Sequence, residues 1–140
     1  MGCTRRVAII QPVVPQYRVP FFTRLIAAAE KEGIHIDVFG GGTPRAMRAR
    51  GDSGDAAFVR ALGTRELAIH GRALFHKSAA PILRGDYDLV ILEHAVRNTE
   101  TYELLVRLGR RRVAFWGHGR TYTRSVSPRQ ESFKYWLARR

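Results

Sequence analysis

Short apolar runs recur along the chain, each bounded by polar, glycine or proline residues. The clearest of them cover residues 7–11, 34–39, 88–92 and 113–116. Uninterrupted runs of this length are typical of strands that are buried on both faces of a parallel sheet. The segments between the runs are long enough for the crossover connections that parallel neighbours require. The pattern therefore predicts an α/β domain with a mostly parallel sheet and helices on both faces.

Helical periodicity fills several of the intervening segments. Residues 20–33 place apolar side chains on one helix face, between an opening proline and a closing glycine. Residues 98–109 begin with two cap-forming side chains, Asn98 and Thr99, and end on another glycine. A last helix begins at Pro128, with its apolar side chains towards residue 137. These helices are the expected crossovers of the sheet.

The middle of the chain has a weaker pattern. Residues 58–62 and 66–70 have the composition of two further short strands. Residues 74–83 are interpreted as a helix, although Pro81 lies near its end. These three elements complete the expected three-layer, Rossmann-like arrangement.

Length and composition narrow the class of protein. The chain has 140 residues, of which 45% are hydrophobic, so residues 1–140 are expected to form a single soluble domain. No apolar stretch approaches the ~20 residues of a membrane-spanning helix. The single cysteine, Cys3, excludes an internal disulfide, and the apolar run near the start is too short for a signal peptide. The sequence predicts a cytoplasmic protein.

The net charge of the chain indicates a class of binding partner. The formal net charge is +12, and arginine supplies all but three of the basic residues. Such a surface favours phosphates, nucleic acid or anionic lipid heads. The arginines are scattered over loops and helix ends, and no segment combines basic with aromatic residues as a nucleic-acid recognition element does.

The loops that follow the predicted strands are the candidates for a binding site, because ligands of parallel α/β sheets bind beyond the carboxyl ends of the strands. Gly117-His118-Gly119-Arg120 follows one of them. The glycines allow a ligand to approach the backbone, the imidazole can donate to a hydroxyl or phosphate oxygen, and the guanidinium can hold an anion. A turn cap at His118 and a solvated Arg120 are the other interpretation.

Two more loops carry candidate side chains. Tyr17 and Arg18 follow the first run, and Glu93 and His94 close the run at 88–92. Tyr17 can pack under the sheet edge while Arg18 points at an anion near the N-terminus of the first helix, and a carboxylate beside an imidazole can perform acid–base chemistry. From the residues alone, ordinary loop packing and a structural histidine are the favoured interpretations, and ligand binding and catalysis are the alternatives.

Cofactor and metal motifs are not found in the sequence. No G-x-G-x-x-G turn follows the first strand and there is no Walker A sequence. Gly40–Gly42 is interpreted as a flexible turn, with phosphate binding as the lesser alternative. The histidines lack the spacing of metal ligands. No cofactor and no metal are predicted.

Taken in order, these motifs resemble a known family. The segments Val7–Gln11 and Pro15–Phe22, with the "YR-x-PFF" pattern, resemble the opening of bacterial family-4 glycosyltransferases. Residues 88–93 and Phe115–Arg120 resemble later segments of the same enzymes, at the expected separation. The resemblance spans residues 6–137. It implies an enzyme of the B fold, in which two Rossmann-like halves face a cleft and a sugar is transferred from a nucleotide-sugar with retention and without a metal.

The resemblance also implies roles for individual residues. His118 would lie near the reacting sugar as the catalytic residue, while Tyr17 and Arg18 would face the acceptor and the donor phosphates. The remaining substrate-binding positions would be Glu93, Gly117, Gly119 and Arg120.

The chain departs from the family where the donor-binding half would begin. The nucleotide-binding residues and the paired glutamates of that half do not occur before Arg140. We therefore expect an incomplete, acceptor-binding half that acts on a glycan or lipid-linked acceptor only with a donor-binding domain, which a partner chain could provide. Contact with the anionic inner face of the membrane is a further expectation.

Two other functions compete with this one. The chain could be a stand-alone basic α/β module that binds nucleic acid or a phosphorylated partner, or an interaction domain with an exposed half-cleft. If a donor half normally covers the last helix, apolar side chains at Phe133, Tyr135, Trp136 and Leu137 should be exposed. A self-contained domain would bury Trp136.

Overall fold

The computed structural model describes residues 4–41, 56–70, 72–109, 112–117 and 127–139. Within these ranges the strands are β1 (Arg5–Gln11), β2 (Ile34–Gly41), β3 (Val59–Leu62), β4 (Thr64–Ile69), β5 (Arg72–Lys77), β6 (Leu89–Glu93) and β7 (Val113–Trp116). The α-helices are α1 (Val19–Lys31), α2 (Ala80–Arg84), α3 (Glu100–Leu108) and α4 (Pro128–Arg139), and a 3-10 helix covers Gln16–Arg18.

Five strands form the main sheet in the order β3-β2-β1-β6-β7. All four neighbouring pairs are parallel. In the centre, Ile9 lies opposite Val38 of β2 and Ile91 of β6. The pairing of β6 with β7 is parallel, with Leu92 opposite Phe115. The predicted α/β, Rossmann-like three-layer domain is confirmed.

The two faces of the sheet carry separate apolar cores, because successive side chains of a strand point to opposite faces. Ile9 and Val38 face α1 and pack around the fully buried ring of Phe22. Ile10 faces the other way, into a core shared with Ile82 of α2 and Leu104 of α3. Helices therefore cover both faces, as the sequence pattern predicts.

The proline and the glycines that are predicted to bound the helices lie at helix ends in the structure. Pro20 lies in the first turn of α1, and Gly33 follows its last turn with a φ of +71°. Gly109 has the same φ just after α3. Glycine adopts this left-handed backbone conformation without the steric cost that a side chain brings. One detail of α1 differs from the prediction: Phe21 is 48% exposed, and its ring edge contacts Trp116 at a centroid distance of 5.7 Å.

The helix predicted over residues 74–83 is wrong, because the segment divides into strand β5 and the short helix α2. β5 pairs with β4 as an antiparallel hairpin. Its other side is tied to the loop after β6: Phe75 N donates to Arg97 O at 3.0 Å, and Thr99 N donates to Phe75 O at 2.9 Å. These backbone hydrogen bonds outweigh the helical spacing of the side chains. Pro81 lies in the first turn of α2 rather than interrupting a longer helix.

The last helix, α4, exposes aromatic side chains. Tyr135 is 56% exposed, Trp136 46% and Phe133 38%, whereas Leu137 is half-buried. Trp136 is therefore not buried against the domain's own core. None of the helices in the described ranges has the length and apolar character needed to cross a membrane.

Candidate functional site at the carboxyl end of the sheet

The loop after the central strand β1 presents an aromatic ring to solvent. Gln11, the last residue of β1, is 1% exposed, and its Oε1 accepts a hydrogen bond of 2.7 Å from Nη1 of Arg18. A buried amide thus holds the guanidinium against the end of the sheet. The side chain of Tyr17 does not pack under the sheet edge as predicted: it is 73% exposed, and the Arg18 guanidinium carbon lies 5.7 Å from the centre of its ring. This pair can offer one flat surface and one cationic group to a ligand.

The neighbouring strands β6 and β7 bring two more predicted positions to this end of the sheet. Glu93, the last residue of β6, is half-buried and lies opposite Trp116 in the register. Gly117 follows Trp116 directly. Since β1, β6 and β7 are adjacent parallel strands, Tyr17, Arg18, Glu93 and Gly117 all lie at their carboxyl ends.

His94 is enclosed between β7 and α4. Its backbone N donates to Trp116 O at 2.9 Å, and its ring centroid lies 5.0 Å from that of Phe115. Nε2 is buried without a well-aligned hydrogen-bond partner among the described residues. Burial and the positive charge of Lys134 lower the pKa of His94, and the Lys134 backbone only partly opposes them. The imidazole is therefore neutral at pH 7, and its burial favours the structural interpretation over acid–base chemistry.

The glycines at the end of β2 are required by close packing. Gly41 N donates to Pro12 O at 3.1 Å. A Cβ at position 41 would lie 2.7 Å from Thr64 Oγ1 and 2.9 Å from Lys77 Cε. This contact with the β4–β5 hairpin accounts for Gly41 without a bound phosphate.

The hairpin is anchored by a buried ion pair that sequence reasoning missed. Lys77 Nζ lies 2.8 Å from Glu100 Oε1, and both side chains are 3% exposed. The backbone N of Lys77 donates to the other carboxylate oxygen at 3.3 Å. The two residues lie on different elements, 23 positions apart. Neither spacing nor composition signals such a pair.

A second network missed from the sequence surrounds Asp37 near the amino end of the sheet. The Asp37 carboxylate accepts a 2.6 Å hydrogen bond from the Tyr87 hydroxyl and lies 2.9 Å from Nη2 of Arg60. Arg6 and His35 each approach it at 3.3 Å. Because this cluster lies away from the loops that follow the strands, it braces the sheet rather than contributing to the candidate site.

These interactions shift two pKa values in opposite directions. Burial alone would raise the pKa of Asp37, but the Tyr87 hydroxyl and the charges of Arg60 and His35 outweigh it, so the pKa is lowered. Burial and the hydrogen bond to Asp37 raise the pKa of Tyr87 to about 12. Asp37 is therefore ionised, and Tyr87 protonated, over the whole physiological range.

The three other predicted site positions lie outside the described residues: His118, Gly119 and Arg120. Their convergence with Tyr17 and Glu93 stays a prediction. In the described ranges, His, Cys, Asp and Glu side chains form no cluster of three or more that could hold a metal ion.

Comparison of the chain with protein-family models, with curated proteins and with solved structures finds no match.

Proposed function

We propose that this domain binds the acceptor of a retaining glycosyltransferase, whose nucleotide-sugar is held by a separate donor-binding domain. The observation that carries the proposal is the exposed ring of Tyr17 beside Arg18, at the carboxyl end of the central strand of a parallel sheet. The order of the sequence segments that resemble family-4 glycosyltransferases supports it.

The chemistry of the candidate residues suits a sugar acceptor. The flat ring of Tyr17 can pack against the apolar face of a sugar, while the Arg18 guanidinium binds a phosphate or carboxylate of the acceptor. The Glu93 carboxylate can accept hydrogen bonds from sugar hydroxyls. In this proposal, His118 lies next to the reacting sugar, and the domain contributes orientation of the acceptor hydroxyl rather than the donor site.

A stand-alone basic module that binds nucleic acid or a phosphorylated partner is the second candidate. It is favoured by the net charge of +12. Binding of this kind depends on many phosphate contacts and weakens steeply with salt. Acceptor binding through Tyr17 depends on one aromatic side chain, and the two candidates can therefore be separated experimentally.

The test is a titration of the purified chain with oligosaccharides and with short-chain polyprenyl-phosphate sugars, followed by NMR. We expect binding that Tyr17→Ala weakens by about five- to tenfold, because an aromatic stacking contact of ~1–1.5 kcal/mol is lost. Tyr135→Ala is the matched control, since Tyr135 is also exposed but lies on α4.

Two results would count against the acceptor proposal. One is the absence of saccharide binding together with salt-dependent binding of oligonucleotides, which would favour the second candidate. The other is an equal effect of the two tyrosine substitutions, which would place the ligand away from the loop after β1.

A further inference from the structure

A cavity of about 520 Å³ lies between the β4–β5 hairpin, the loop after β6 and the first turns of α4. Of the acceptor-binding candidates that the structure describes, Tyr17, Arg18, Glu93 and Gly117, none lines it. Its volume falls in the range of small-molecule sites. The lining residues are Leu74, Val96, Arg97, Ser127, Arg129, Gln130 and Phe133.

The described polar lining of this cavity carries two positive charges. Arg97 and Arg129 both line it, and neither forms an ion pair within the described part of the chain. The described lining contains no acidic side chain. Gln130 and Ser127 add neutral polar groups beside the two guanidiniums. Two unpaired arginines that face one space favour an anionic ligand with several acceptor oxygens.

The backbone that carries the arginines is held in place. The carbonyl of Arg97 accepts the hydrogen bond from Phe75 N at 3.0 Å, which ties the loop to β5. Gln130 N donates to Ser127 O at 3.0 Å in the first turn of α4. Hydrogen bonds therefore hold the backbone on both sides of the cavity. Less conformational entropy is lost when a ligand binds to a site that is already ordered.

The rest of the cavity wall is apolar. Leu74 and Val96 are half-buried, and Phe133 is 38% exposed. The Phe133 ring stacks on Trp136 at a centroid distance of 5.8 Å and lies 6.4 Å from the ring of Tyr102. A ligand with a ring or an acyl chain can cover this aromatic surface while its anionic group reaches the arginines.

We propose that this cavity binds a phosphorylated compound with an apolar body. The phosphate lies between Arg97 and Arg129, and the body packs against Leu74, Val96 and Phe133. The phosphate can belong to a soluble phosphomonoester or to the headgroup of a lipid. The site does not depend on glycosyl transfer, and it stands or falls independently of the acceptor proposal.

The experiment uses isothermal titration calorimetry with inorganic phosphate and with phenyl phosphate. We expect phenyl phosphate to bind about tenfold more tightly than inorganic phosphate, because its ring adds an apolar contact. Arg97→Gln and Arg129→Gln should each weaken phenyl phosphate binding by about tenfold or more, since each removes a charge-assisted hydrogen bond. Phe133→Ala should reduce phenyl phosphate to the affinity of inorganic phosphate.

Arg84→Gln is the control, because Arg84 is an exposed arginine on α2 outside the cavity lining. It makes the same change in net charge and should leave the affinity unchanged. Thermal melting of the arginine variants should give the wild-type Tm, since both cavity arginines are exposed.

A second arm measures co-sedimentation with phosphatidylcholine vesicles that contain phosphatidic acid. The site is supported if phenyl phosphate or the phosphatidic acid vesicles bind to the wild type and this binding is lost in Arg97→Gln and Arg129→Gln. The probe that binds more tightly identifies the source of the phosphate. Failure of both probes overturns the proposal. Equal weakening by Arg84→Gln overturns it as well, because binding would then follow net charge alone.

Discussion

Lys77 and Glu100 bury both charged side chains, unlike the other ion pairs of the described residues. Removing one partner leaves an unpaired charge in the interior, at a typical cost of 3–5 kcal/mol. We expect Lys77→Met to lower the free energy of unfolding by about 3 kcal/mol in urea denaturation. Lys77→Met combined with Glu100→Leu should cost less than Lys77→Met alone, since the double substitution leaves no orphaned charge.

The exposed pair of Arg107 with Glu103, at 3.4 Å, provides the comparison. Glu103→Gln should change the stability by no more than about 0.5 kcal/mol, because surface pairs at this spacing contribute little. An equal loss of unfolding free energy in Glu103→Gln and Lys77→Met would show that burial does not increase the contribution of the Lys77–Glu100 pair to stability.

The Asp37–Tyr87 hydrogen bond predicts how stability depends on pH at both extremes. The pKa of Asp37 is lowered in the fold, so its stabilisation is lost as the pH falls through that lowered value. The pKa of Tyr87 is raised to about 12, so its stabilisation is present below pH ~10 and declines as the pH rises through about 12. We expect Tyr87→Phe to flatten both declines in urea midpoints measured against pH.

Tyr17→Phe is the control for this profile, because that side chain is 73% exposed and lies at the opposite end of the sheet. It should leave the pH dependence as in the wild type. A Tyr87→Phe profile that overlays the wild-type curve would contradict the role assigned to the hydrogen bond.

Single residues differ in how well the sequence reveals them. Glu93 ends a strand with a clear apolar run, and Tyr17 lies in the loop after another such strand. Both positions are therefore predictable from the sequence. Asp37 lies inside such a run, and its partners come from separate parts of the chain: Arg6, Arg60 and Tyr87. Only the assembled sheet brings these groups together, so no local pattern predicts the network.

The β4–β5 hairpin depends on a close contact with the end of β2. A side chain at Gly41 would collide with Thr64, Lys77 and the Pro12 carbonyl, the last at 3.0 Å. We expect Gly41→Ala to cost about 1–3 kcal/mol and to increase amide hydrogen exchange in β4 and β5, because the hairpin must move away. Gly63→Ala is the control: its Cβ would meet no atom within 4 Å.

The same hairpin explains why one predicted helix is wrong. Residues 74–83 are predicted as a helix with Pro81 near its end. What makes residues 72–77 a strand is pairing on both sides, with β4 and with the loop at residues 97–99. The loop at residues 97–99 is distant in the sequence from residues 72–77, so the local pattern cannot predict this pairing. The central parallel strands β1, β2 and β6, by contrast, are mostly buried or half-buried, so their own apolar runs predict them.

For the molecule as a whole, the two tryptophans report on different surroundings. Trp116 is half-buried and contacts the rings of Phe21 and Phe22, whereas Trp136 is 46% exposed on α4. We expect acrylamide to quench the fluorescence of Trp116→Phe several-fold more strongly than that of Trp136→Phe. Equal quenching of the two variants would mean that α4 is covered in solution, for example by self-association that sedimentation velocity detects.

The central position of β1 has a consequence for how the chain folds during synthesis. β1 can pair with β2 early, but its other side waits for β6, and the bonded residues Arg6 and Asp88 are 82 positions apart. Pairings this distant raise the contact order and slow folding. Until residues 89–93 leave the ribosome, the nascent chain carries one unpaired apolar strand edge, which is a site for chaperone binding or aggregation. Substitutions that weaken β6 should therefore reduce the yield of soluble protein more than equally destabilising substitutions in β3.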